Sequence, residues 1–268
     1  MTATSISVST RGGDPTRVGK VKDQIDKLVN LHFPMTLGQE PDVVNIVNAL
    51  VRKESSHNAN AIGPAVSIRP GTGGANYWFS SAVTALREQG TSTQKDNLAY
   101  GIVGLGLMQV MGWNLVLGGS KSGKCEVERL RPDLAGIICV APGESLQDKI
   151  LGPENLSNAI LAGLVILEGK HKAVYRDGLV YRVKGDSYGR QFPSKIAGAI
   201  AAYLGLGKSD RLGTTPEQYA AEIVGGSVYQ SANYSPSAVR DSVTKTASIW
   251  VAQTNGSDQS TICTPGCC

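Results

Sequence analysis

Residues 156–167 constrain the fold more than any other stretch of the chain. Leu156, Ile160, Leu161, Leu164, Val165 and Leu167 lie at helical spacing, and the segment is apolar nearly all round. A helix of that kind has no face for water, so other elements must wrap it, which predicts a helical bundle with this helix at its centre. Further helices are expected around it. One is 14–33, with Asp14 as cap, Pro15 in the first turn and Val18, Val21, Ile25, Leu28 and Val29 on one face. Ser194 opens another that carries Ile196, Ile200 and Tyr203 and stops at Gly205. Thr215-Pro216-Glu217-Gln218 is a capping box that starts a helix with Tyr219, Ile223 and Val224. Ser235-Pro236 starts a last one through Val239, Val243, Ala247 and Trp250. Residues 174–183, with Asp177-Gly178 in the middle, read as a small hairpin. The fold class expected is α+β, mainly helical. Pro34–Glu40 reads as a linker, and 58–100 and 118–152 read as loop-rich insertions. In the first, Ala82 to Gln89 forms a short helix and Tyr77-Trp78-Phe79 goes to a satellite core.

Within the helix opened by Pro41-Asp42, Val43, Val47, Leu50 and Val51 form a stripe, and Glu54 falls on the same face. A carboxylate there is poorly hydrated and sits near the helix C-terminus. Both conditions raise its pKa, as a general acid working near neutral pH requires. The plain alternative is a satisfied, partly buried acid at a helix end.

Four segments, in order, carry a resemblance: Glu54-Ser55, Gly106-Leu107-Met108-Gln109, Ala201-Ala202-Tyr203, and Tyr219-Ala220-Ala221-Glu222-Ile223. Together they resemble the soluble lytic transglycosylase domain, which is goose-lysozyme-like, over roughly residues 41–232. Leu204 stands where that family has Asn after the tyrosine. The resemblance implies a lysozyme-like domain at 41–232, an N-terminal extension at 1–40 and a C-terminal helix and tail at 233–268. It implies Glu54 as the catalytic acid, with Ser55, Gln109, Met111 and Tyr203 as substrate-binding residues and the peptidoglycan glycan strand as partner. Gln109 and Met111 read alternatively as helix-start and core residues, and Ser55 as a support for the Glu54 turn. A hydrolytic lysozyme would need a second carboxylate, for which Glu88 or Asp96 is available in sequence. A structural virion or tail component that keeps the fold is the other class of function.

A hydrophobic content of 41% with 18% charged residues fits a globular core, and no apolar run is long enough to span a bilayer. The net charge of +4 comes without a dense Lys/Arg run, so no nucleic-acid partner is expected. The near phosphate-loop Gly118…Gly123-Lys124 is followed by Cys125, where Ser or Thr would hold magnesium, and no cofactor is expected. His32, His57 and His171 have no ligand spacing, so no metal is expected, and His57 reads as a solvated histidine. The N-terminal residues lack an apolar signal region. The expectation is a virion-borne protein acting at the bacterial cell wall, docked to virion or tail proteins through the apolar stripes of 14–33 and 235–252. Five cysteines, Cys125, Cys139, Cys263, Cys267 and Cys268, leave the pairing open.

Overall fold

Helix-forming periodicity and local caps account for most of what the chain builds. A computed structural model describes residues 4–5, 15–66, 73–116, 124–141, 143–207, 213–225 and 248–249. In chain order the helices are α1 (Pro15–His32), α2 (Val43–Ser55), α3 (Gly73–Trp78), α4 (Ser81–Gln89), α5 (Ser92–Gly101), α6 (Glu126–Leu130), α7 (Ala135–Ile138), α8 (Leu146–Ile150), α9 (Leu156–Lys172), α10 (Lys195–Leu204) and α11 (Pro216–Val224). The strands are β1 (Thr4–Ser5), β2 (Gly104–Leu105), β3 (Val110–Met111), β4 (Val174–Asp177), β5 (Val180–Val183) and β6 (Ser248–Ile249). They pair antiparallel as β1–β6, β2–β3 and β4–β5. The fold is thus mainly helical α+β with small two-stranded sheets. Among the described residues no helix is long and apolar enough to cross a membrane.

The chain packs as two compact units that interleave in sequence: 1–12, 58–159 and 234–268 form one, and 13–57 with 160–233 the other. Helix α1 packs on α2 inside the second unit.

In the second unit, α9 is apolar all round as expected, with Ile160, Ala162, Leu164, Val165 and Leu167 fully buried. The stripe of α1 is covered as well. Val21, Ile25, Leu28 and Val29 are each at most 5% exposed, so these side chains belong to the chain's own core. The segment 34–40 is not a free linker either. Its 3-10 turn Leu37–Gln39 buries Leu37, Thr36 Oγ1 donates to Glu168 Oε1 at 2.8 Å, and Glu40 pairs with His171 Nε2 at 2.5 Å. The β4–β5 hairpin turns at Gly178, whose φ of +64° suits glycine. It packs on α10 at Gly198, where an added Cβ would sit 3.1 Å from Val174.

In the first unit the described parts of the expected insertions, 58–66, 73–100, 124–141 and 143–152, are built largely of short helices. Tyr77 and Trp78 are core residues while Phe79 is 56% exposed. Tyr77 fills a slot against Gly101, where an added Cβ would lie 2.2 Å from its hydroxyl oxygen, and burial lifts its phenol above the usual range. Asn97, also buried, accepts from Leu146 N–H and donates to the Glu144 carbonyl, both at 2.8 Å, which ties α5 to the start of α8. Short helices replace the expected loop at 124–152, and a Cys125–Cys139 disulfide joins the start of α6 to the end of α7. A crosslink across 14 residues contributes about 3 kcal/mol by constraining the unfolded chain. The other three cysteines and the near phosphate-loop 118–123 lie outside the described residues, as does most of the expected last helix. Its described part, Ser248–Ile249, is extended and pairs with Thr4–Ser5, which corrects the helix there.

Candidate active site

Helix α2 ends with the residue pair singled out in the sequence. Glu54 is half-buried on its last turn, and Ser55 is buried, its hydroxyl donating to the Val51 carbonyl at 3.0 Å. Ser55 therefore packs inside the helix end and supports the Glu54 turn. The chain then leaves the helix through two successive non-glycine residues in the left-handed region, Ser56 (φ 52°) and His57 (φ 61°). Such conformations cost on the order of 1–2 kcal/mol each, so surrounding contacts must hold them. Ser56 N–H closes the helix on the Arg52 carbonyl, and His57 Nε2 lies 3.1 Å from Asn48 Oδ1.

Helix α11 supplies the partners of this turn. The reciprocal Thr215–Gln218 capping bonds, 3.0 and 3.2 Å, fix where α11 starts and so aim Tyr219 at α2. The Tyr219 hydroxyl donates to Glu54 Oε1. One turn on, Glu222 pairs with Lys53, whose ammonium also lies 5.9 Å from the centre of the Tyr219 ring. Two consecutive α2 residues are thus bound by two α11 residues at i,i+3 spacing, which fixes the azimuth of both helices. From α10, Tyr203 comes within the field of Glu54. Burial first, and the Glu54 charge second, push its phenol well above the ordinary value, so it remains a neutral hydroxyl. Glu54, Tyr203 and Tyr219 therefore meet on three helices of one unit.

Gln109 and Met111 belong to the other unit, in a hairpin the sequence did not disclose. Gly106-Leu107-Met108-Gln109 is not a helix start. It is the turn between β2 and β3, with Gly106 at φ +67° and Gln109 at φ +50°. Leu107 and Met108 are fully buried. The Gln109 amide nitrogen donates to the carbonyls of Gly106 (2.8 Å) and Ala61 (3.3 Å), clamping the 61–66 segment beside β2. Gly63 leaves room for this side chain, since a Cβ there would come 2.3 Å from Gln109 Oε1 and displace it. Met111 is half-buried on β3. Glu88 and Asp96 also lie in that unit, both exposed. The carboxylate found next to the Glu54 turn is Glu222, which was not singled out as a site residue.

His57 is 4% exposed, so the solvated reading is corrected. Burial, then the Arg52 charge, lowers its pKa from 6.5 to about 4. The unfolded chain takes up this proton near 6.5 and the folded chain only near 4, so between these values the folded state binds fewer protons. The stability contribution is intact above pH 6.5 and is lost as pH falls toward 4, by roughly 3 kcal/mol in all. Urea unfolding at pH 7 and pH 4.5 should show this loss. In His57→Gln the drop over that interval should shrink by most of that amount, and an unchanged drop would remove His57 as its source.

Among the described residues no group of three or more His, Cys, Asp or Glu is placed to hold a metal ion. No family model, curated protein or solved structure matches the chain.

Proposed function

We propose that the protein is a peptidoglycan lytic transglycosylase of lysozyme-like fold that cuts the MurNAc–GlcNAc bond through Glu54. The observation that carries this reading is the Tyr219 hydroxyl on Glu54 Oε1. It joins two of the four ordered motif segments across 165 residues, and the Glu54 charge also reaches Tyr203 of a third. A carboxyl held this way has a fixed plane, the first requirement for directional proton transfer.

In this mechanism Glu54 delivers its proton to the glycosidic oxygen as the bond from C1 of MurNAc breaks. The resulting carboxylate then takes the proton of that sugar's own C6 hydroxyl while the oxygen attacks C1. The product is a 1,6-anhydro sugar, no water is consumed, and Glu54 is left protonated for the next cycle. Tyr219 acts as a positioning residue, and Tyr203, neutral throughout, supplies a hydroxyl near the developing charge. Delivery to the wall by a virion belongs to the same reading.

The test is clearance of purified sacculi by the wild-type chain beside Tyr219→Phe. Loss of one hydrogen bond to the reacting carboxyl should lower turnover about tenfold, with KM little changed. No clearance by folded wild-type protein would end the reading. Wild-type turnover in Tyr219→Phe would remove the role given to that hydroxyl.

A further inference from the structure

We propose that the loop 184–190 is a second sugar-binding platform, on which Tyr188 stacks a ring of a carboxylate-bearing, N-acetylated glycan strand. The proposal rests on the functional reading above and places a substrate contact at a loop that carries none of the motif residues.

The loop is wound around one carboxylate. Asp186, its side chain 2% exposed, accepts from Tyr188 N–H (3.1 Å), Arg190 N–H (2.8 Å) and Arg190 Nη1 (2.8 Å). The Arg190 side chain is 7% exposed and each of its three nitrogens is engaged: Nη1 also reaches the Leu206 carbonyl at 3.1 Å, Nη2 the Gly207 carbonyl at 2.6 Å, and Nε pairs with Glu217 at 3.0 Å. Burying such a pair is costly unless its donors are matched, and four of the five guanidinium N–H groups are matched here. The result is an immobile guanidinium 4.4 Å from the Tyr188 ring centre, beneath a tyrosine that is 59% exposed. Exposed aromatics ordinarily lose side-chain freedom on binding. This one is already fixed, and a rigid, amphipathic ring gives contact area at small entropic cost.

The surroundings fix the ligand class. Residues 170–195 hold seven Lys/Arg against two Asp, and with Glu168 and Glu217, which pair with Lys172 and Arg190, the group is a net +3. Tyr175, 51% exposed, shares a hairpin face with Arg182, whose Nη1 reaches the Gly189 carbonyl beside Tyr188 at 2.7 Å, and Lys184, next in the loop, is exposed with no ion-pair partner among the described residues. Aromatic faces for sugar rings beside a cation for carboxylates match a glycan that bears acidic peptides. The platform and the candidate acid are both held from α11, Arg190 by Glu217 and Glu54 by Tyr219.

The experiment is co-sedimentation of the full chain carrying Glu54→Gln with purified sacculi, at low and high salt. Adding Tyr188→Ala should weaken retention about tenfold at both salt levels, Tyr188→Phe should restore it, and Lys184→Gln should weaken it at low salt only. Unchanged retention in Tyr188→Ala overturns the proposal, as does a Glu54→Gln chain that does not sediment with sacculi. Stronger sedimentation with phosphatidylglycerol vesicles than with sacculi overturns it too, in favour of a lipid surface met by Leu179. Because retention is read in a background that should not cleave, the two ideas fail separately. Tyr188-dependent retention with an inert wild type sinks cleavage alone, and clearance without Tyr188-dependent retention sinks the platform alone.

Discussion

Glu54→Gln should reduce the release of soluble fragments from purified sacculi by about 10²-fold or more while leaving the thermal midpoint near that of wild type. The amide keeps the shape of the side chain and still offers an oxygen to the Tyr219 hydroxyl, so the α2–α11 contact survives. What it removes is the transferable proton. A structural role predicts the reverse pattern, with a lowered midpoint and activity falling only in proportion. A Glu54→Gln protein that clears sacculi at the wild-type rate would take Glu54 out of the chemistry.

Gly112→Ala should destabilise the chain by about 4 kcal/mol, enough to lower its urea midpoint markedly. Gly112 follows β3 and packs on the end of α5. An added Cβ would lie 2.1 Å from the Tyr100 carbonyl oxygen, 2.8 Å from that carbonyl carbon and 2.9 Å from Gly101 Cα. These are backbone atoms of a helix end, so no side chain can swing aside. The Gly112 N–H is also fixed on the Val103 carbonyl at 3.0 Å. By contrast, Gly136→Ala, where nothing lies within 4 Å of the new methyl, should leave the midpoint unchanged or slightly raised. Equal midpoints for the two variants would mean that the packing of α5 against 112–114 is looser than described.

The contrast between these two sites tracks what could be read from the sequence. Helices α1, α9, α10 and α11 were legible because their signals are local: an apolar period, a Ser or Thr cap, a proline in the first turn. Ser194 and Thr215 both cap as their positions imply. The same signal stood unread at Thr91-Ser92-Thr93-Gln94, whose reciprocal capping bonds start α5. The β2–β3 hairpin escaped because its strands are two residues each, and its turn places a glutamine in the left-handed region where Asn-Gly would be the usual sign. What makes that turn hold is non-local, since the Gln109 side chain braces Ala61 and Gly106 across a gap that Gly63 leaves open.

Glu54 was visible as an acid breaking into an apolar stripe. Its partners were not. Tyr219 and Glu222 stand in the fourth segment of the resemblance, which gives neither of them a role, and only the packing of α11 on α2 turns them toward Glu54 and Lys53. His57 was misjudged for the same reason. Nothing in its neighbouring residues announces that the turn after α2 folds inward against Asn48. Periodicity locates elements, whereas site chemistry depends on which element faces which.

The most direct test of the central proposal is the mass spectrum of soluble fragments released from purified sacculi by the wild-type chain. A single carboxyl group serving as acid and then base predicts fragments ending in 1,6-anhydroMurNAc, each lighter by one water than a hydrolysis product. Fragments with only water-added reducing ends, or sacculi that release nothing in the presence of the folded chain, would contradict it.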